Sequence, residues 1–146
     1  MKLTWFRVSI FAALSFAAGS WVTARFTGLP KMEAASGRVY ELRVYHTLPG
    51  RLPALLSRFR DHTVTIFNRH EMKSVGYWTP EDAPVKDNEL IYILAHPSRE
   101  AATKNWNEFR ADPEWQKVSK ASEADGKIVE KVDSTFMDPT DFSALK

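Results

Sequence analysis

Polar and apolar residues alternate from Val39 to His46, with Tyr40, Leu42 and Val44 on one face and Glu41, Arg43 and Tyr45 on the other. A period of two in β-branched and aromatic residues predicts a strand with one core side and one polar side. The apolar set places Leu42, Val44 and His46 on the expected core side. After the Pro49-Gly50 turn the period changes. Leu52, Leu55, Leu56, Phe59, Thr63, Ile66 and Phe67 recur at three- and four-residue spacing, which predicts an amphipathic helix ending near Arg69-His70, with Pro53 tolerated in its first turn. Two further strands are expected at Lys73–Thr79 and Leu90–His96, joined across the breaker-rich segment 81–88 as an antiparallel hairpin. Ser98 can cap a helix running through Ala101, Ala102, Trp106 and Phe109. Asp112-Pro113-Glu114 restarts one, with an acid at the cap and a proline at the first position. Beyond Gly126, Ile128, Val132 and Phe136 alternate with Lys131, Asp133 and Thr135, a last strand closed by Asp138-Pro139.

The resulting order, β-α-β-β-α-β, predicts an α+β fold of the ferredoxin-like kind: an antiparallel sheet with both helices on one face and the first and third strands central. Those two strands are read as parallel neighbours. The uncovered sheet face is expected to carry Tyr45, Tyr92 and, in one register, Trp78. A patch of that kind is seldom left exposed on a monomer, so a homodimer packed across the sheets is expected.

The N-terminus has a different pattern. Lys2 and Arg7 precede or open an apolar run from Val8 to Gly19 broken only by Ser9 and Ser15, and no acid appears before Glu33. This is the layout of a secretory signal over residues 1–24, cleaved after Ala24 or, as a second candidate, after Ala18. Export to the periplasm or beyond is expected. An uncleaved membrane anchor and a mitochondrial transit segment are the alternatives, although Val8 to Val22 is short of the ~20 residues a spanning helix needs. Residues 25–37, rich in Gly, Pro, Ala and Ser, read as a linker, residues 38–137 as the domain and 138–146 as a tail.

Charge and cysteine content narrow the function classes. The 20 basic and 18 acidic residues of the chain become 18 of each once residues 1–24 are removed. No surplus of cations and no basic stripe is left to attract a nucleic acid, and membrane contact is expected only through an uncleaved anchor. The absence of cysteine excludes disulfides, thiolate zinc sites and thiol catalysis. There is no glycine-rich phosphate loop and no nucleophile elbow, and the pattern names no cofactor or metal.

Three segments carry a family resemblance: Tyr40-Glu41-Leu42-Arg43-Val44-Tyr45 before Pro49-Gly50, then Gly76-Tyr77-Trp78, then Phe109-Arg110-Ala111-Asp112-Pro113-Glu114-Trp115. In this order they resemble the NIPSNAP family over about residues 38–137. The resemblance implies a dimeric α/β barrel, in a superfamily that also holds haem-degrading monooxygenases, lactone isomerases and stress-response proteins. Animal relatives are mitochondrial and linked to vesicular transport. Fold alone does not select an activity.

Candidate chemistry is therefore read residue by residue. His46 and His96 end strands expected to run side by side, so both imidazoles would meet at one sheet edge, for proton transfer or metal ligation or simply as strand-end caps. His62 and His70, eight residues apart on the first helix, are too distant to share a metal. The polar strand face offers Glu41, Arg43, Tyr45, Lys131 and Asp133. The expected ligand contacts are Arg43 and Tyr45, with Trp78, Tyr92, His96 and Asp133, a set able to orient a carboxylate or an aromatic molecule. A lattice of cross-strand charges without a ligand accounts for the same residues. Trp106, Phe109 and Trp115 are read as helix-to-sheet core. The expected function is an exported homodimer that binds a small molecule or a protein; the alternative is a small-substrate monooxygenase or isomerase.

Overall fold

The structure is a computed structural model that describes residues 38–146. The signal segment and linker expected at 1–37 lie outside the described residues. The strands are β1 (Val39–Thr47), β2 (Lys73–Trp78), β3 (Glu89–His96) and β4 (Val129–Met137). Between β1 and β2 run α1 (Leu52–Arg58), a π-helical turn (Phe59–Thr63) and α2 (Val64–Arg69) as one rod; α3 (Arg99–Ala111) and α4 (Pro113–Ser122) precede β4. The sheet order is β2-β3-β1-β4, so the chain has the ferredoxin-like βαββαβ arrangement.

Every neighbouring pair in the sheet is antiparallel. This corrects the expectation that β1 and β3 run parallel. A βαβ crossover returns β2 in the direction of β1, and the β2–β3 hairpin then reverses the chain, so β3 must oppose β1. His46 therefore pairs with Glu89, and His96 pairs with Val39 at the other end of the strand. Seven residues of strand, about 23 Å, separate the two histidine positions.

The faces of β1 are also the reverse of those expected. Glu41, Arg43 and Tyr45 lie under the helices, with Tyr92, Leu94, Ser134 and Phe136 as their cross-strand neighbours. Tyr45 packs edge-on against Phe59 with centroids 5.6 Å apart, and Tyr92 is fully buried among Phe59, Phe67 and Tyr77. Leu55, Phe59, Ile66, Phe67, Met72, Leu90, Leu94, Trp106, Phe109 and Ile128 complete this core. Alternation identified two faces, but both are apolar enough to be covered, and it carries no information on which one the helices take.

The opposite face presents Leu42, Val44, Ile91 and Ile93, all half-buried, and Trp78, which is 49% exposed. Trp78 lies across Gly76, where a Cβ would stand 2.6 Å from the indole Cη2, so Gly76 is the residue that lets the ring lie flat. The tail after β4 folds back over one end of this face. Tyr40 donates its hydroxyl hydrogen to the carbonyl of Lys146 at 3.3 Å, and Pro139, Thr140, Ser143 and Leu145 line a space of about 270 Å³ with Ile93 and Met137. No described helix is long and apolar enough to cross a membrane.

Local chemistry explains the helix boundaries. The π-helical turn sends the Val64 N–H back five residues to the Phe59 carbonyl, and the Thr63 hydroxyl donates to the Arg58 carbonyl at 3.1 Å. Asp112 divides α3 from α4. Its Oδ1 accepts from the N–H groups of Glu114 and Trp115, while Oδ2 accepts from Arg69 at 2.9 Å and faces His70 Nε2 at 2.8 Å. The His70 hydrogen bond, with Arg69 and the two amides, outweighs burial and holds this carboxyl well below the usual range. Asp112→Ala is expected to cost about 1–2 kcal/mol, read as a Tm lowered by roughly 5–10 °C. A thermal midpoint unchanged within a degree would remove the cap from the account.

Candidate functional site

Residues two apart on a strand share a face, so Glu41 and Arg43 stand together on the helix side of β1. Glu41 is 1% exposed, yet it is a full hydrogen-bonding centre. Oε1 accepts from Arg43 Nη1 at 2.7 Å and from the Ser134 hydroxyl at 2.7 Å. Oε2 accepts from the Trp106 indole N–H at 2.6 Å and pairs with His96 Nε2 at 3.2 Å. Four donors thus use both oxygens of one carboxylate, drawn from β1, β3, β4 and α3. Burial alone would raise the Glu41 pKa; the bonds from His96, Ser134, Trp106 and Arg43 reverse this and lower it from 4.5 to about 2. An ionised Glu41 requires His96 to carry a proton on Nε2, and Nδ1 has no hydrogen-bond partner among the described residues.

Arg43 lies over the Trp106 ring, with Cζ 4.2 Å from its centroid, and its Nε has no hydrogen-bond partner among the described residues. Burial opposes its charge, but Tyr45, Tyr92 and Glu41 hold its pKa above the ordinary arginine value. Above this pair opens a cleft of about 250 Å³ lined by Arg43, Arg99, Thr103, Arg110, Ser134 and Phe136, with Glu41 at its base. Arg99 stacks on Phe136, its Cζ 3.4 Å from the ring centroid, and Arg110 is steadied by Asn107 Oδ1 at 2.7 Å. Three guanidinium groups therefore converge on a space whose one carboxylate already has its acceptor sites filled.

The six expected contact residues divide. Arg43 and His96 meet at Glu41, whereas Tyr45 and Tyr92 are core aromatics beside Arg43. The Tyr92 hydroxyl is buried with no hydrogen-bond partner among the described residues, and burial foremost pushes its pKa well above that of free tyrosine. Trp78 and Asp133 stand on the other sheet face and do not join the cleft. Lys131 and Asp133 lie there too, paired at 2.8 Å, so the expected charge lattice with Glu41 and Arg43 does not form. His46 is held between Glu89 at 2.9 Å on Nδ1 and Asp133 at 3.0 Å on Nε2, which uses both ring nitrogens. His70 is engaged with Asp112 at 2.8 Å.

The residues missed by sequence reading are Trp106, Ser134, Arg99 and Arg110, together with the central part played by Glu41. Ser134 shares its β4 face with Val132 and Phe136, the side expected to be core, but the side Glu41 occupies depends on which sheet face the helices cover. Trp106 is core, as expected, and its indole N–H also binds the carboxylate.

Comparison with known proteins follows the same boundaries. A NIPSNAP family protein of unknown function from Agrobacterium tumefaciens is 28% identical, with a TM-score of 0.67 over 77% of this chain and 96% of its own. An uncharacterized NIPSNAP-like domain protein from Burkholderia xenovorans is 18% identical, with a TM-score of 0.66 over 76% and 93%. SnoaB, a cofactor-independent oxygenase from Streptomyces nogalater, is 15% identical, with a TM-score of 0.50 over 74% and 98%, and shares the fold alone. No curated protein matches the chain. The NIPSNAP family model matches residues 40–144, from the start of β1 through most of the tail, and the chain belongs to the NIPSNAP family.

Proposed function

We propose that the protein is an exported, homodimeric binding module that holds a small organic anion in the cleft over Arg43. The observation that carries this reading is the convergence of Arg43, Arg99 and Arg110 around about 250 Å³ while Glu41 is satisfied internally. Arg43 is fixed by Glu41 and Trp106, so little ordering remains to be done when an anion arrives, and planar guanidinium groups match carboxylate geometry. Phe136 adds an aromatic wall. A binding role is favoured over a monooxygenase or isomerase because both oxygens of Glu41, the carboxylate at the base of the cleft, already accept hydrogen bonds, which leaves it poorly suited to act as a base. The apolar open face supports the dimer, and the basic start and apolar run of residues 1–24 support export.

Isothermal titration calorimetry with benzoate and succinate tests the site. Saturable binding is expected, weakened at least tenfold in the Arg99→Ala/Arg110→Ala double variant, whose substituted side chains are exposed and leave the Glu41 centre intact. Equal affinity in the double variant, or no heat with either acid, would count against the reading.

A further inference from the structure

A second cationic group is buried where α1 meets α4. Arg58 ends α1 just before the π-helical turn, and its side chain is only 4% exposed. For a guanidinium so deeply placed it is poorly matched. Nη1 reaches the neutral Ser122 hydroxyl at 3.3 Å and the Glu123 carboxylate at 3.6 Å, that carboxylate being one-third exposed. Nε is buried and has no hydrogen-bond partner among the described residues. The Trp115 ring lies 5.4 Å from Cζ on one side. Burial is the main influence on this group and pulls its pKa below the ordinary arginine value, with Glu123 opposing. Buried charges are normally paired and hydrogen-bonded, so an arginine in this state has unused capacity for an anion.

The groove it lines has a volume of about 590 Å³ and runs between α1 and α4. That volume is within the roughly 300–1,000 Å³ typical of small-molecule sites. Its walls include Ala54, Val118 and Ala121, which are small and apolar, and Ser57, whose hydroxyl can donate a hydrogen bond; the Ser122 hydroxyl already donates to the Ser119 carbonyl at 2.8 Å. The charged groups facing it are Asp61, Glu114, Lys117 and Arg58, with His62 at the rim and Glu123 beside Arg58. Three carboxylates near the site disfavour a dianion, whereas one carboxylate group can reach Arg58 and extend an aliphatic body along the alanines.

We propose that the groove between α1 and α4 is a binding site for a small aliphatic monocarboxylate, its carboxylate on Arg58 and its chain against Ala54, Val118 and Ala121. This site is independent of the cleft over Arg43, which opens between α3 and β4. Trp115 gives it a built-in optical signal.

The test uses the full chain, octanoate as probe and inorganic phosphate as control, followed by calorimetry and tryptophan fluorescence. Octanoate is expected to bind saturably and shift the fluorescence; phosphate is expected to do neither. Ser57→Trp and Ala121→Trp place bulk at exposed groove positions without touching the core and should weaken octanoate at least tenfold. Arg58→Gln should do the same, and if that variant does not fold, the two groove-filling variants decide the matter. The Arg99→Ala/Arg110→Ala variant should bind octanoate as the wild type does. No saturable binding at millimolar octanoate, undiminished binding in both groove-filling variants, or loss confined to the Arg99→Ala/Arg110→Ala variant would each overturn the proposal.

Discussion

Glu41→Gln is expected to destabilise the fold by about 3–5 kcal/mol, the cost of leaving Arg43 buried without its counter-charge. The substitution keeps the shape of the side chain but replaces one acceptor oxygen with an amide that cannot accept from Arg43 and Ser134, or from Trp106 and His96, depending on how it turns. A domain of ordinary stability, roughly 5–15 kcal/mol, would lose a large part of it. Urea denaturation at neutral pH measures the loss as a lower midpoint with little change in slope. The pH dependence has a definite sign. The Glu41 pKa is lower in the fold, about 2 against 4.5, so its stabilisation is complete above pH 4.5 and is lost as the pH falls towards 2. Wild type should therefore lose stability across that window more steeply than the Glu41→Gln variant. A variant within 1 kcal/mol of wild type, with a parallel acid profile, would show that the carboxylate does not anchor the sheet to α3.

The second large effect concerns the open face. Ile91→Glu is expected to convert the proposed homodimer into a folded monomer, raising the dimer dissociation constant at least a hundredfold. In a twofold interface each substitution appears twice, so one mutation brings two carboxylates into an apolar contact made by Leu42, Val44, Ile91, Ile93 and Trp78. Ile91 is only half-buried within the single chain, which is why the monomer should keep its fold. Size-exclusion chromatography with light scattering reads the change. A monomeric wild type, or an Ile91→Glu variant that stays dimeric, would place the contact elsewhere. Native mass spectrometry of the exported wild-type protein adds the processing step: two chains beginning at Arg25 support cleavage after Ala24, and chains retaining Met1 contradict it.

The element order could be read from the sequence because each element has its own local signal. Leu52 to Phe67 keeps helical spacing, Ser98 and Asp112 are caps whose side chains accept the amides expected of them, and Ile128 to Phe136 alternates. What sequence periodicity lacks is a sign. Leu42 and Val44 looked like core and Arg43 like surface, yet Arg43 lies against Trp106 under α3 while Leu42 and Val44 face away from the helices. The inversion separated Trp78 and Asp133 from the other expected contacts. His46 and His96 failed as a pair for a different reason, since the direction of β3 follows from the first crossover and the hairpin after it and not from either strand. Glu41 was hidden by its residue type: a carboxylate in a strand reads as surface, and its four donors come from segments up to 93 residues away.

The π-helical turn at Phe59–Thr63 sets a phase relation inside the first helical rod. One extra residue is accommodated there, so α1 and α2 are offset by about 100° from a continuous α-helix. Removing one residue from the turn would make the hydrogen bonding regular, and by that measure the helix would be better. It would also rotate Leu52, Leu55 and Arg58 away from the positions they hold when Ile66 and Phe67 are seated. A single-residue deletion in the turn is therefore expected to misplace one half of the rod against the core. Length at this turn is as much a constraint on the chain as the identity of any side chain in the core.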